Sequence, residues 1–351
     1  MKVWEFKPLD SCFFRGAKPF NSGEGGFLDS QFPPTAQTLA GVIRAAIGDA
    51  KGVDWEKFRS GQQPEIAELI GKESDHAGQL SFTGPYIFKA GERLYPMPLC
   101  LLHSEASGGW TRLIPSQETF KTDMDGMKHL PKPIKALPGA KPLENAWLDA
   151  GNMQLVLNGD EPASFIKESE LFCGEARVGI ERDNGKRMVN DGMLYFTRHV
   201  RLKEDISLGM VVSGADDVMP AGMVRLGGEG RMAHLKVADI VDSRLHGNDG
   251  KSDKFVLILL THGDFLGKSE PALAGINMIS ACIGKAVREG GWDYKHNRPK
   301  PLKSLVPAGS CYFVEGDEQA IRALHGKHIG KRTAFGYGEI AVGIWREGEQ
   351  Q

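Results

Sequence analysis

The side chains able to do chemistry are scattered. Ten histidines are dispersed along the chain, and the closest pair, His325-Gly-Lys-His328, has no acidic or cysteine neighbour to complete a metal site. The five cysteines (Cys12, Cys100, Cys173, Cys282, Cys311) are odd in number and include no C-x-x-C pair. That spacing argues against a structural zinc site and against a disulfide framework, and fits a reducing cytoplasm. Gly263-Asp-Phe-Leu-Gly-Lys-Ser269 comes nearest to a phosphate-binding loop. It has one residue too few between its glycines for the backbone N–H groups to converge on phosphates, and Pro271 follows at once. The reading is therefore of a chain with no catalytic residue, metal or cofactor.

What remains is chemistry of contact. Leu226-Gly-Gly-Glu-Gly-Arg231 offers backbone without side chains, flanked by Arg225 and Arg231. Bare N–H groups between two guanidinium forks suit a phosphodiester backbone, which makes Arg225, Gly227, Gly228, Gly230 and Arg231 candidate RNA contacts. A tight structural turn with two solvated arginines fits the same residues, and both readings stand at this stage. Arg15 and Lys18 in an earlier glycine-rich loop, with Arg44 and Arg177, are candidate flanking contacts. Glu175–Lys203 holds seven Lys/Arg against four acidic residues, with Tyr195 and Phe196 among them. Lys285–Lys303 holds six against two, with Trp292, Tyr294 and His296. Basic residues interleaved with aromatics are the composition of a groove that stacks single-stranded bases.

The elements that must carry these residues can be read in outline. Val3–Leu9 reads as a strand with Val3, Phe6 and Leu9 apolar. Thr35 is placed to cap a helix in which Leu39, Val42, Ile43, Ala46 and Ile47 fall on one face, with Gly48 placed to end it. Ala176–Asp183 and Met193–Lys203 read as strands joined through Asn184-Gly185. Ser207–Ser213 and His234–Ile240 are further strands, with only Ala215–Gly222 available as a second helix. In the last hundred residues Phe255–Thr261 is a buried-type strand and Pro271–Ser280 has helical spacing. Ala281–Trp292 and Ser310–Glu315 look extended, Asp317–His325 helical, and Ile340–Trp345 is a last strand. The order is β-α-β-β-α-β, the ferredoxin-like arrangement. The first 240 residues fit the same plan once about 50–170 is set aside.

Composition excludes whole classes. The 351 residues are 41% hydrophobic and 25% charged with a net charge of −2, so wholesale disorder and bulk-charge coating of nucleic acid are both excluded. The longest apolar run, Phe255 to Leu260, is far short of the roughly 20 residues that span a bilayer, and the start lacks the apolar stretch of a signal peptide. Glycine, at 44 residues, is well above the usual roughly 7%, so many backbone positions need special conformations or close approach.

Several segments taken together carry a resemblance. They are Pro8-Leu-Asp-Ser-Cys-Phe-Phe-Arg15 with Pro19-Phe20, Phe32-Pro-Pro-Thr35 leading to Leu39-Ala-Gly-Val-Ile-Arg44, and Arg177-Val-Gly-Ile180 with Asp191-Gly-Met-Leu-Tyr195. The turn Leu226–Arg231, Gly290-Gly-Trp-Asp293, Val306-Pro-Ala-Gly-Ser310 and Phe335-Gly-Tyr-Gly338 complete the series. In this order they resemble the third-subunit family of the type III-B CRISPR Cmr effector complex, in the RAMP superfamily. The resemblance implies an α+β chain of two ferredoxin-like (RRM-like) RAMP domains with glycine-rich loops, to which the proline- and lysine-rich composition of the middle region adds a large irregular insertion. The expected division is residues 1–240 with an insertion at about 50–170, a linker at 241–254, and a second domain at 255–351. The resemblance also implies a non-catalytic, cytoplasmic subunit that binds the 5′ tag of the CRISPR guide RNA. Its protein partners would be a large polymerase/cyclase-like subunit and the first backbone subunit, with no membrane and no stand-alone homo-oligomer. Within the same superfamily, an endoribonuclease that processes repeat RNA is the alternative. It would need a positioned acid/base among His199, His234 and His262.

Overall fold

A computed structural model describes residues 1–17, 27–121, 124, 127–183, 185, 188–220, 222–239, 245–246, 252–293 and 298–347. The fold is α+β and rich in sheet. It divides into two compact units, Met1–Gly91 with Ser169–Ile240 and Arg288–Lys303, and Glu92–Glu168 with Val241–Val287 and Ser304–Gln351. These boundaries differ from those expected. The supposed insertion is split, with 92–168 belonging to the same unit as the C-terminal strands. The linker expected at 241–254 lies largely outside the described residues.

In the first unit the chain runs through β1 (Lys2–Pro8), β2 (Phe27–Asp29), α1 (Ala36–Ala50), β3 (Ser81–Lys89), β4 (Phe172–Asp183), β5 (Met188–Leu202), β6 (Ile206–Ser213), β7 (Gly222–Arg225) and β8 (Met232–Asp239). Within this unit the main antiparallel sheet has the order β3-β6-β1-β8-β7. Strand β1 is central, with Trp4 opposite Met210 on one side and Val237 on the other. Its inward residues are Trp4 and Phe6, whereas Leu9 is 64% exposed. The expected Val3/Phe6/Leu9 spacing is corrected by the two-residue period of a strand.

Thr35 caps α1 as its sequence implies, its side chain accepting from the Thr38 N–H, and Leu39, Ile43 and Ile47 are fully buried. The helix passes Gly48 and ends at Ala50. The second helix expected at Ala215–Gly222 is not formed. Residues 215–218 make only a turn, Gly222 already belongs to β7, Pro220 removes a donor, and Asp216 and Asp217 are held by the Met1 amino group and Lys51. Strands β4 and β5 form the expected hairpin, longer than the sequence implies, and β2 adds to it in parallel with Phe27 opposite Phe196.

The second unit contains α2 (Ala150–Leu157), β9 (Phe255–Leu259), β10 (Ile276–Cys282), β11 (Cys311–Gly316), α3 (Glu318–Arg322) and β12 (Ile340–Ile344). Its sheet has the order β10-β11-β9-β12, all antiparallel. All of β9 is buried because both faces of the sheet are covered. Val256, Ile258 and Phe313 share one core with Met153, Val156 and Leu157 of α2, while Phe255, Leu257 and Tyr312 share another with Ile321 of α3. Gly343 of β12 lets α2 come close, since a Cβ there would lie 3.0 Å from the Leu157 backbone.

The helix expected at Pro271–Ser280 is a second correction. Residues 276–282 pair with β11, and the gain of a sheet ladder outweighs local helical spacing. The region thought irregular also contains short strands at Leu101–His103, Trp110–Pro115 and Ala146–Leu148. Among the described residues no helix is long and apolar enough to cross a membrane.

Ile43 has no exposed surface, so Ile43→Ala is expected to destabilise the fold by about 2–5 kcal/mol. Denaturant unfolding measures this; a change under about 0.5 kcal/mol, typical of surface sites, would contradict the packing of α1.

Candidate nucleic-acid interface

Three arginines converge on one carboxylate just past the end of β1. Arg201 donates to Asp10 Oδ1 at 2.6 Å, and Arg231 and Arg177 donate to Oδ2 at 3.0 and 3.3 Å. The strand period explains the convergence: Glu175 and Arg177 on β4 share a face with His199 and Arg201 on β5, and Arg231 precedes β8. Glu175 accepts from Arg201 at 3.0 Å, and Glu229 lies 3.9 Å from Arg231. Three guanidinium groups thus meet three carboxylates. The Arg201 hydrogen bond, followed by the Ser11 backbone N–H, holds the Asp10 carboxyl below its ordinary pKa.

Beneath the cluster His199 is fully buried, its ring stacked on Phe13 with centroids 5.1 Å apart. Arg177 donates to Ser11 Oγ at 2.9 Å, and that hydroxyl in turn shares a 3.3 Å hydrogen bond with His199 Nδ1. Arg177 can only donate, and the Ser11 hydroxyl keeps both its own proton and a second lone pair, so this hydrogen bond is satisfied with either His199 tautomer. Nε2 lies 3.0 Å from Glu229 Oε2, close enough for electrostatic attraction but out of line for a hydrogen bond. Burial lowers the His199 pKa and Glu229 only partly opposes it, so the ring is neutral near pH 7.

The glycine turn is built against Phe13. Gly227 has φ +84°, and a Cβ there would lie 2.5 Å from the Phe13 carbonyl oxygen, which accepts the Gly228 N–H at 2.7 Å. Gly228 itself is not in the left-handed region; Gly227, Glu229 and Gly230 are. A Cβ at Gly230 would meet nothing within 4 Å. Gly227 is therefore required by packing, while Gly230 faces open space.

The structure brings together Arg177, Arg231 and the turn, but disperses the other candidates. Arg225 is exposed on the edge strand β7, opposite Met232, and Arg15 is exposed and bridges to Ser30. Lys18 lies outside the described residues. Arg44 serves the protein's own backbone. Its guanidinium donates to the carbonyls of Ile70, Gly71 and Glu73, satisfying the end of the short helix Pro64–Ile70. Sequence reasoning missed Asp10, Ser11, Phe13 and Arg201, and weighed His199 only as an acid/base; the strand period linking Arg177 to the 199–201 pair could have placed His199 and Arg201 in the cluster.

The aromatic composition is partly realised. On the three-stranded sheet Val178, Phe196 and Phe27 lie in one cross-strand row and all are exposed, with Ala176, Arg198 and Asp29 in the next row. Tyr195 instead lies across Gly179, where a Cβ would meet its ring.

This architecture is shared with solved structures. A chain of the cryo-EM structure of the Type III-B Cmr-beta bound to cognate target RNA and AMPPnP is similar, with 16% identity, a TM-score of 0.51, and 89% of this chain and 86% of that chain covered. A chain of Cmr-beta bound to cognate target RNA is similar at 15% identity and the same TM-score, covering 92% and 88%. A comparison with curated protein sequences finds no match. The fold is thus similar to that of these Type III-B Cmr-beta chains. A family model described as CRISPR-associated protein (Cas_Cmr3) matches residues 4–345, and the chain belongs to that family.

Two outcomes are expected at this site. Gly227→Ala should destabilise the protein more than Gly230→Ala. Both force a side chain into the left-handed region at a cost of about 1–3 kcal/mol, but only the first meets backbone; equal losses in denaturant unfolding would contradict the packing. The second outcome concerns acid. A depressed carboxyl pKa contributes stability above the unfolded value near 3.9, and that contribution is lost as pH falls through the folded pKa. The stability gap between wild type and Asp10→Asn should therefore narrow as pH is lowered below about 4, which unfolding midpoints across pH will show.

Proposed function

We infer that this chain is a non-catalytic, RNA-binding subunit of a type III-B CRISPR ribonucleoprotein. In this reading it holds the 5′ tag of the guide RNA and docks the large polymerase/cyclase-like subunit and the first backbone subunit, in the cytoplasm and not as a homo-oligomer. The observation that carries the RNA part is the glycine turn open at Gly230, ringed by the partly exposed Arg177, Arg201 and Arg231. A phosphate entering there finds guanidinium forks already gathered. It competes with Asp10 for them, and because all three arginines are at least partly solvated the exchange is of one hydrogen-bonded anion for another. The exposed row of Val178, Phe196 and Phe27 supplies stacking surface for unpaired bases.

The sheet orders support two ferredoxin-like modules, each with one of its two helices missing. In the first unit α1 is kept and the second helix is a turn; in the second unit α3 is kept and no first helix forms among the described residues. As for a repeat-cleaving enzyme, His199 has no exposed surface, His262 Nδ1 accepts the Ala308 N–H, and His234 is exposed on β8 without a second catalytic group in contact among the described residues. No observation favours that activity.

The test is a salt titration of guide-tag RNA binding by the assembled complex, with an Arg225→Ala/Arg231→Ala variant shown to be folded by circular dichroism. Each lost phosphate contact should reduce the slope of log K against log salt by about 0.7. An unchanged slope and affinity would remove these residues from the RNA path.

A further inference from the structure

The second unit holds a cleft of about 530 Å³ that has no part in the RNA path proposed for the glycine turn. Its walls come from the strand pair Leu101–His103 and Trp110–Pro115, in which His103 and Trp110 face each other, and from the segment after α2 that carries Phe165 and Lys167. The three rings form one cluster. His103 lies 4.6 Å from Trp110 and 5.2 Å from Phe165 between centroids, and Trp110 and Phe165 meet edge-on at 5.6 Å. Trp110 is buried and forms the back, while His103 and Phe165 are half-buried and leave ring surface uncovered.

Two further features give the cleft polarity. The Lys167 ammonium stands 5.9 Å from the Phe165 ring centroid, and the Glu105 carboxylate is exposed among the lining residues. Gly108, at φ +67°, lines the cleft with open space where a Cβ would stand.

Flat aromatic surface, one cation and one carboxylate match the parts of a single chemical class. A nucleobase stacks on aromatic faces whatever its identity, its edge supplies hydrogen bonds, and its phosphate seeks an ammonium. We propose that this cleft binds one ribonucleotide unit. The base lies against His103 and Phe165, the phosphate is held by Lys167, and Glu105 accepts a hydrogen bond from an exocyclic amine of the base. Bases that carry such an amine, adenine, cytosine and guanine, are favoured over uracil. The same chemistry is offered by a nucleotide in a single strand and by a free mononucleotide. The proposal does not rest on the glycine turn, and its residues are separate from those varied in the salt titration.

The experiment uses the full chain and follows tryptophan fluorescence and filter binding with hexa-adenylate, hexa-uridylate, AMP, UMP and inorganic phosphate. The expected result is binding of adenine-containing ligands over uracil ones, weakened at least tenfold by Phe165→Ala, as loss of one base stack predicts. Lys167→Gln, an exposed change checked for folding by circular dichroism, should weaken binding and lower the salt slope by about 0.7 for the strand. Glu105→Gln should erase the preference over uracil. Binding of the hexamer but not AMP assigns the cleft to an RNA strand, and comparable binding of AMP assigns it to a free nucleotide. Binding that Phe165→Ala and Lys167→Gln leave unchanged, or that inorganic phosphate matches, would overturn the proposal.

Discussion

The first unit is organised around a carboxylate that attracts more positive charge than it can neutralise. Asp10 sits where β1 ends, and the three guanidinium groups that reach it come from β4, β5 and the turn before β8. Its neighbours follow from that choice. Ser11 is pinned by Arg177 and orients His199, Phe13 stacks on His199, and the Phe13 carbonyl receives the glycine turn. A chain of contacts therefore runs from one exposed ion cluster to a fully buried imidazole and on to a backbone turn. Single surface ion pairs contribute little, but a shared carboxylate with several partners acts as a network whose members fix one another's geometry.

The charge balance of this cluster bears on recognition. With Glu175 and Glu229 included, positive and negative groups are equal in number, so the surface is not a bulk cationic patch and the near-neutral chain is consistent with it. As the proposed RNA contact, such a cluster would favour ligands that replace a carboxylate geometrically, by offering oxygens to planar forks, over ligands drawn by long-range field. The glycine turn contributes space at Gly230 and rigidity at Gly227, two roles that look identical in sequence.

How far the sequence could be read depends on whether the cause of a feature was local. The Thr35 helix was legible because its cap and its apolar stripe lie within fifteen residues of each other. The β4–β5 hairpin was legible because alternation and Asn184-Gly185 are local as well. Arg44 was misassigned because its acceptors, the carbonyls at the end of another helix, lie 26 to 29 residues away. Residues 276–280 read as helix because their pairing with β11 is written in another part of the chain. Asp10 escaped notice for a related reason: an acidic residue in a search for RNA contacts counts against the site, and only the fold shows that it gathers the arginines. The glycine turn was placed correctly, but the Phe13 carbonyl that demands it is over two hundred residues earlier.

The central position of β1 has a consequence for biosynthesis. Its seven residues are made long before both of its sheet neighbours, β6 and β8, which lie beyond residue 205. At about 5–20 residues per second, the nascent strand waits on the order of ten to fifty seconds for its partners. During that interval Trp4 and Phe6, which end with no exposed surface, have no sheet to enter. The ribosome exit region and its chaperones thus meet an unpaired apolar strand long before this domain can close. Early translational stalling would leave that strand as the segment at risk of improper association.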